Sequence, residues 1–354
     1  MTSPTEPSST AEPTTARAKI GVVVNPRSKR NLDDPGKADR LRRIVGEHGV
    51  VLETRGVDEL DDVADRLRRE GIGVLAVAGG DGTTSAVLTA VRRRWPTGVL
   101  PSVALLRGGT MNTVANSVGI PRGRSEALLT RLVERVASGE PVPTTTRVTV
   151  DAGGRLGFLL GTGAMHGFMA EYYARGKPYP TPLTAAETLV VGAASAVVSG
   201  EVVRRIVEPI RATLTVGGER WAERDYFAVA AGTVQQIGLG FKPFHRANHQ
   251  LDAFHVLGIH CSPVAFVASL PRIHRGLPMR SDHVTEALVT ELVIETPGGD
   301  VPHMLDGDLH AGTSPFRVAL GPRVTIVADD DWIPPARAVR QRARFELWRW
   351  LRAR

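Results

Sequence analysis

The chain has 354 residues, 42% of them hydrophobic, enough for two domains with cores of their own. Its one cysteine, Cys261, excludes an intramolecular disulfide, so nothing points to an oxidising compartment and a cytoplasmic protein is expected. Of the net charge of +7, the last nineteen residues, "ARAVRQRARFELWRWLRAR", carry +6 through seven arginines and one glutamate. The body is then nearly neutral, and with no aromatic and basic residues interleaved along it no nucleic-acid partner is expected.

In chain order, residues 1–17, "MTSPTEPSSTAEPTTAR", are rich in Ser, Thr and Pro and have no apolar core, which fits a disordered leader and no signal peptide. "KIGVVVN" at 19–25 predicts a buried strand, followed by a helix near 34–47, a strand "VVLET", a helix over 58–70, a strand "GVLAVAGG" and a helix after Gly82. A strand "SVALL" and helices near 110–118 and 124–138 carry this alternation to about residue 144, as in a parallel sheet covered by helices. From 145 to 330 the spacing changes to short alternating runs, "TRVTVDA", "RLGFLLGTG", "RATLTVGG", "RDYFAVAAG", "DAFHVLGIH", "ALVTELVIET" and "RVTIVAD", with helices near 166–176 and 183–199. That half predicts a sandwich or barrel. The most apolar run, "TLVVGAASAVVSG" at 188–200, falls short of the ~18 residues of a membrane span and suits a buried helix.

In helical register Val339, Ala343, Leu347, Trp350 and Leu351 share one face of the basic segment 331–354, with arginines around it. This pattern fits a helix lying on an anionic membrane, and equally a terminal helix packed on the body.

Three loops fall where parallel strands end, the place where open α/β sheets bind ligands. "GGDGTT" supplies Gly79, Gly80, Asp81, Gly82, Thr83 and Thr84 at a helix start, where free N–H groups suit a phosphate. "NPRSKRN" offers Asn25, Pro26, Arg27, Ser28 and Lys29, and "RGGTMNTVAN" offers Thr110 and Asn112. Neither the Walker spacing nor GxGxxG is present there. The glycines admit a second reading, a tight turn that needs positive φ. In "HMLDGDLH", Asp306 and Asp308 flank one glycine and could both face a cleft, or form an Asp-Gly turn. His166, His245, His249 and His310 form no HExxH and have no cysteine partner, so surface or hydrogen-bonding roles are expected of them.

Asn-Pro-x-Ser after the first strand, GGDGT after the third and Gly-Thr-x-Asn after the fourth resemble the catalytic domain of the diacylglycerol kinase and sphingosine kinase superfamily. "LGTGAMHGFMAEYYARG", "GLGFKPFHRANHQLDAFHV" and "MLDGDLH" follow in that family's order, so the resemblance covers roughly residues 18 to 330. It implies a Rossmann-like parallel α/β domain over 18–144 and a mainly antiparallel β-sandwich over 145–330, with the active site in the cleft between them. It further implies transfer of the ATP γ-phosphate to a hydroxyl of a lipid such as diacylglycerol or a sphingoid base, with Mg²⁺. Asp306 matches the general base and Asp308 its neighbouring acid, while Asp81 either holds Mg²⁺ through water or orders the phosphate loop. The expected partners are thus a lipid substrate and an anionic membrane surface, with peripheral membrane association; a homodimer is compatible. Three positions depart from the family: Lys29 replaces a glycine, Thr113 an aspartate, and Asn248 the aspartate of an accessory Mg²⁺ site, which is therefore expected to be weak or absent. The alternatives are an NAD kinase-like enzyme on a soluble substrate and a non-catalytic nucleotide- or lipid-binding regulator.

Overall fold

The structure is a computed structural model that describes residues 18–96, 99–176, 181–197, 208–247 and 250–328. The leader 1–17, the basic segment 331–354, Asn248 and His249 lie outside the described residues.

In the first half, strands β1 (Lys19–Val24), β2 (Gly49–Glu53), β3 (Ile72–Ala78) and β4 (Ser102–Leu105) pair in parallel in the order β2-β1-β3-β4. Between them run α1 (Lys29–Leu32), α2 (Lys37–Val45), α3 (Leu60–Arg69) and α4 (Asp81–Arg94), and after them α5 (Thr113–Ser117) and α6 (Ser125–Ser138). The strands are apolar on both faces because both are covered. Val23, Leu75, Val77 and Val103 pack on α3 and α4, whereas Ile20, Val22, Val74 and Ala76 pack on α2 and α6.

The second half comprises β5 (Thr144–Ala152), β6 (Arg155–Gly157), β7 (Leu159–Thr162), α7 (Ala164–Arg175), α8 (Pro182–Val197), β8 (Ile210–Val216), β9 (Glu219–Tyr226) and β10 (Ala228–Gly232). It continues with β11 (Phe254–Ile259), α9 (Pro263–His274), β12 (Val284–Val289), β13 (Glu291–Glu295), β14 (His303–Leu305), β15 (Asp308–His310) and β16 (Phe316–Val327). An antiparallel six-stranded sheet, β12-β11-β10-β7-β14-β15, faces a second layer that contains β5, β6, β16, β13, β8 and β9. Leu160, Val229, Phe254 and Val256 of one layer meet Val150, Leu214, Leu292 and Val318 of the other. The fold expected from the sequence is therefore borne out, a parallel α/β half joined to an antiparallel sandwich.

Two details of this architecture differ from the sequence reading. The long strand β16 runs back to the first half and pairs in parallel with β4 at Ile326 and Val103, so one ten-stranded sheet passes through the expected boundary at 144/145. Moreover, three runs read as single strands each break into two. The chain leaves the large sheet after β6 and β9 and enters the small one at β7 and β10, turning at Phe158 and Phe227; between β12 and β13 it crosses the other way, at Thr290. A strand that switches sheets makes the corner of a sandwich, and alternation of apolar residues continues through such a corner, which is why periodicity does not mark it.

Helices α7, α8 and α9 cover the outer face of the small sheet. Helix α9, which the sequence reading did not pick out, begins at Pro263 behind Ser262, whose Oγ accepts the N–H of Ala265 at 3.3 Å. On this face Phe227, Ala230, Leu257 and Ile259 meet Ala164 of α7, Ile273 of α9 and the loop residue Phe244, leaving a cavity that opens towards the carboxyl ends of β1, β3 and β4.

Candidate active site

The loops after β1 and β3 are tied together by side-chain amides. Asn25 donates through Nδ2 to Thr83 Oγ1 at 2.9 Å and accepts the N–H of Arg27 on Oδ1 at 2.9 Å. Asn31, buried, donates to the carbonyls of Asn25 and Ala78 at 2.7 and 2.8 Å, closing β1 onto β3. The sequence reading missed Asn31; it stands inside the quoted loop, and only its burial marks it.

None of Gly79, Gly80 and Gly82 has positive φ, so turn strain does not explain them. Close approach does. A Cβ on Gly80 would lie 3.1 Å from Gly109 Cα, and one on Gly109 would lie 2.3 Å from Gly80 Cα. The loops after β3 and β4 touch backbone to backbone, as only glycine permits. A Cβ on Gly79 would meet the side chain of Thr83, and one on Gly82 would fall on the Asp308 carboxylate. Gly82 thus makes room for an acid supplied by the other half of the chain, a reason invisible in the sequence.

Asp81 opens α4 and turns its carboxylate to the start of α5, accepting the N–H groups of Thr113 at 2.8 Å and Val114 at 3.0 Å. The Thr113 side chain bonds it as well, so where the family has a second acid this chain has a donor to the first. Burial pushes the Asp81 carboxyl above its ordinary value, against these donors.

Asp306 lies at the β14–β15 turn in the left-handed region, φ 48°. Its carboxylate accepts the N–H of Phe158 (3.1 and 3.0 Å) and of Leu159 (2.9 Å), and its own N–H donates to the Leu159 carbonyl at 2.9 Å. It therefore pins the corner where the chain crosses from β6 to β7. Burial drives its carboxyl well above the ordinary range, and the charges of Asp81 and then Asp308 add to that while the backbone donors oppose it. Burial and then Asp81 push Asp308 up too; among the described residues nothing donates to it. Three acids from two halves of the chain thus converge, two held by backbone N–H groups and one with its lone pairs free.

Asn25, Arg27, Ser28, Lys29, Gly80, Asp81, Gly82, Thr83, Thr110, Asp306 and Asp308 all line one cavity of about 720 Å³. Pro26, Gly79, Thr84 and Asn112 do not: Thr84 donates to the Gly80 carbonyl at 3.1 Å, and Asn112, φ 49°, donates to the carbonyl of Gly109 at 2.7 Å and accepts its N–H. These residues shape the loops from behind. Beyond the acids the cavity turns apolar, walled by Met165, Phe227, Leu257, Phe266, Leu270, Ile273 and Met279. Tyr173 stands beside the acids and donates to the Gly307 carbonyl at 3.1 Å.

Ser85 and Thr89 of α4 anchor the second half at this point. Ser85 Oγ donates to the Leu156 carbonyl, and Thr89 Oγ1 accepts the N–H of Leu156 at 2.9 Å. The helix that carries Asp81 and the corner held by Asp306 are consequently one packed unit.

Fold and site together define a two-layer α/β and β-sandwich protein whose phosphate-type loops share a cleft with buried acids. Within it, residues 19–141 match the diacylglycerol kinase catalytic domain family. The chain is 33% identical over 211 residues to a "probable lipid kinase YegS-like" of Stenotrophomonas maltophilia, covering 57% of this chain and 63% of that protein. A second protein of that name, from Xanthomonas euvesicatoria, is 35% identical over 140 residues, 37% of this chain and 41% of its own length. The aligned part is thus under two thirds of either relative. The crystal structure of a diacylglycerol kinase from Bacillus anthracis superposes with a TM-score of 0.61 at 15% identity, over 90% of this chain and 99% of that one, and shows the shared fold.

Proposed function

We propose that the protein is an ATP-dependent lipid kinase, transferring the γ-phosphate to a hydroxyl of a lipid such as diacylglycerol or a sphingoid base. The observation that carries this reading is the continuity of the cavity from the phosphate-type loops, past Asp306 and Asp308, into the apolar chamber under α7 and α9. Its volume, about 720 Å³, is within the ~300–1,000 Å³ of small-molecule sites. Each methylene buried there contributes about 0.8 kcal/mol, a gain open to acyl chains and closed to a dinucleotide.

In the proposed reaction the lipid hydroxyl oxygen bonds to the γ-phosphorus as the bond to the β,γ-bridging oxygen breaks and ADP leaves. Asp306 takes the hydroxyl proton, its raised pKa making it the stronger base. Asn25, Ser28 and Thr83, linked to one another, orient the phosphates. A cluster of carboxylates in which the charge of Asp81 raises both Asp306 and Asp308, and in which Asp308 has no donor among the described residues, fits a hard divalent cation, and Asp308 and Asp81 would hold Mg²⁺ there. When bound, the ion offsets phosphate charge. We also propose that the basic segment 331–354 docks the protein on anionic membranes. No helix among the described residues is long and apolar enough to cross one.

The second reading, a non-catalytic binder, is favoured by Thr113 in place of an acid and by the bonds that tie Asp306 to the backbone. Transfer of labelled phosphate from ATP to diacylglycerol, monoacylglycerol, sphingosine, ceramide and NAD separates these readings. Label in one of the lipids is expected. Label in NAD, or in none while ATP still binds, overturns the proposal.

A further inference from the structure

A second group of titratable side chains stands apart from the three acids, on the helix-covered face of the small sheet. His255 of β11, Glu286 of β12 and His245 of the β10–β11 loop bring one ligand atom each within 4.8 Å of the others. His245 Nε2 lies 3.5 Å from Glu286 Oε1, and His255 Nε2 lies 3.3 Å from Glu286 Oε2. Ligand atoms bonded at ~2.1 Å around a tetrahedral ion are separated by about 3.4 Å, close to each of these two nitrogen–oxygen distances.

The hydrogen bonding singles the group out further. His255 is fully buried; its Nε2 faces Glu286 Oε2, but its Nδ1 finds no hydrogen-bond partner among the described residues, and His245 Nδ1 has none either. Buried imidazole nitrogens without partners are costly, and a bound ion removes that cost. The rings of His245 and His255 stand at 89° to one another, centroids 5.1 Å apart, which lets both turn a nitrogen to one point. Glu286, a quarter exposed, leaves an opening for water as a further ligand.

We propose that His245, His255 and Glu286 bind a borderline transition-metal ion of the Zn²⁺ type, fastening the β10–β11 loop to the small sheet. Two imidazoles and one carboxylate select such an ion over Mg²⁺ or Ca²⁺, which take oxygen donors. The donors of the site are His245, His255 and Glu286, and Asn248 is not among them. The site would give His245, for which a surface or hydrogen-bonding role is expected from the sequence, a ligand role beside Glu286 and His255. Its role follows from Phe244, which packs edge-on against His255 at 6.0 Å and lines the apolar chamber, so the ion would hold one wall of the cavity.

The test uses the full chain, stripped of transition metals with chelator and then exposed to Zn²⁺ with Mg²⁺ in excess throughout. We expect one tightly retained Zn²⁺ per chain by elemental analysis, a thermal midpoint raised by Zn²⁺, and at least about tenfold weaker binding in Glu286→Gln and in His245→Asn. Co²⁺ in the unaltered chain should give the visible absorption of a four-coordinate site, a readout independent of either variant's folding. No retained Zn²⁺ and no Co²⁺ band overturns the proposal. So does undiminished retention in a folded variant, which would put the ion elsewhere.

Discussion

Asp306 combines two tasks in one side chain, pinning a sheet corner and facing the cleft, and the two can be separated by substitution. Asparagine keeps an oxygen for the N–H groups of Phe158 and Leu159 but cannot take a proton. Asp306→Asn is expected to lower kcat by about two to four orders of magnitude with the KM for ATP little changed, read by steady-state kinetics. Its effect on stability should have the opposite sign. The native carboxyl titrates well above the ordinary 3.8, so the stability it contributes is whole below that pH and is lost as pH rises towards the native value. Asparagine removes this loss, and the gain in thermal midpoint over the unaltered protein should be smallest at pH 4, grow as pH rises above it, and level off once the native carboxyl has ionised. A constant difference across that range would show that Asp306 does not titrate as burial requires.

The loops after β3 and β4 behave as one element, because Gly80 and Gly109 meet backbone to backbone. Gly109→Ala would force them apart, at about 1–3 kcal/mol for an overpacked contact, and should raise the KM for ATP well before it alters lipid binding. Chemical denaturation together with nucleotide titration reads both. This is a different reason from the one the sequence offers, where bare backbone at a strand–helix junction suggests approach by a ligand alone. The same scale shows why three strands were read as continuous. In "RLGFLLGTG" Leu156 and Leu160 are both buried, one before and one after the corner at Phe158, and no break in hydrophobicity reports the change of sheet.

For the molecule as a whole, the decisive feature is that β16 and α4 join the two halves so that phosphate-type loops and apolar chamber open into each other. Leu257→Trp, which fills the chamber from β11, should raise the KM for long-chain lipid several-fold and leave that for ATP and for a short-chain substrate unchanged. The membrane proposal belongs to this scale as well. Deleting 336–354 removes +6 of the net charge, at roughly 1 kcal/mol of attraction per basic residue near an anionic surface. Sedimentation with anionic vesicles should be lost, while activity on detergent-dispersed lipid persists; truncated protein that still sediments would place the contact in the body.

Sequence alone determined the two-part fold and marked the glycine-bearing loops at the ends of the parallel strands, because parallel strands that are apolar on both faces and glycines at strand–helix junctions are local patterns. It also marked Asp306 and Asp308, through two acids spaced around one glycine. Tertiary structure decided what these residues do for one another. That Gly82 clears space for Asp308, that Asp306 holds the Phe158 corner, that Thr113 donates to Asp81, and that His245 meets His255 and Glu286 are all contacts between segments far apart in the chain. Their energies depend on burial and on distances of a few ångströms, and neither is written in local periodicity.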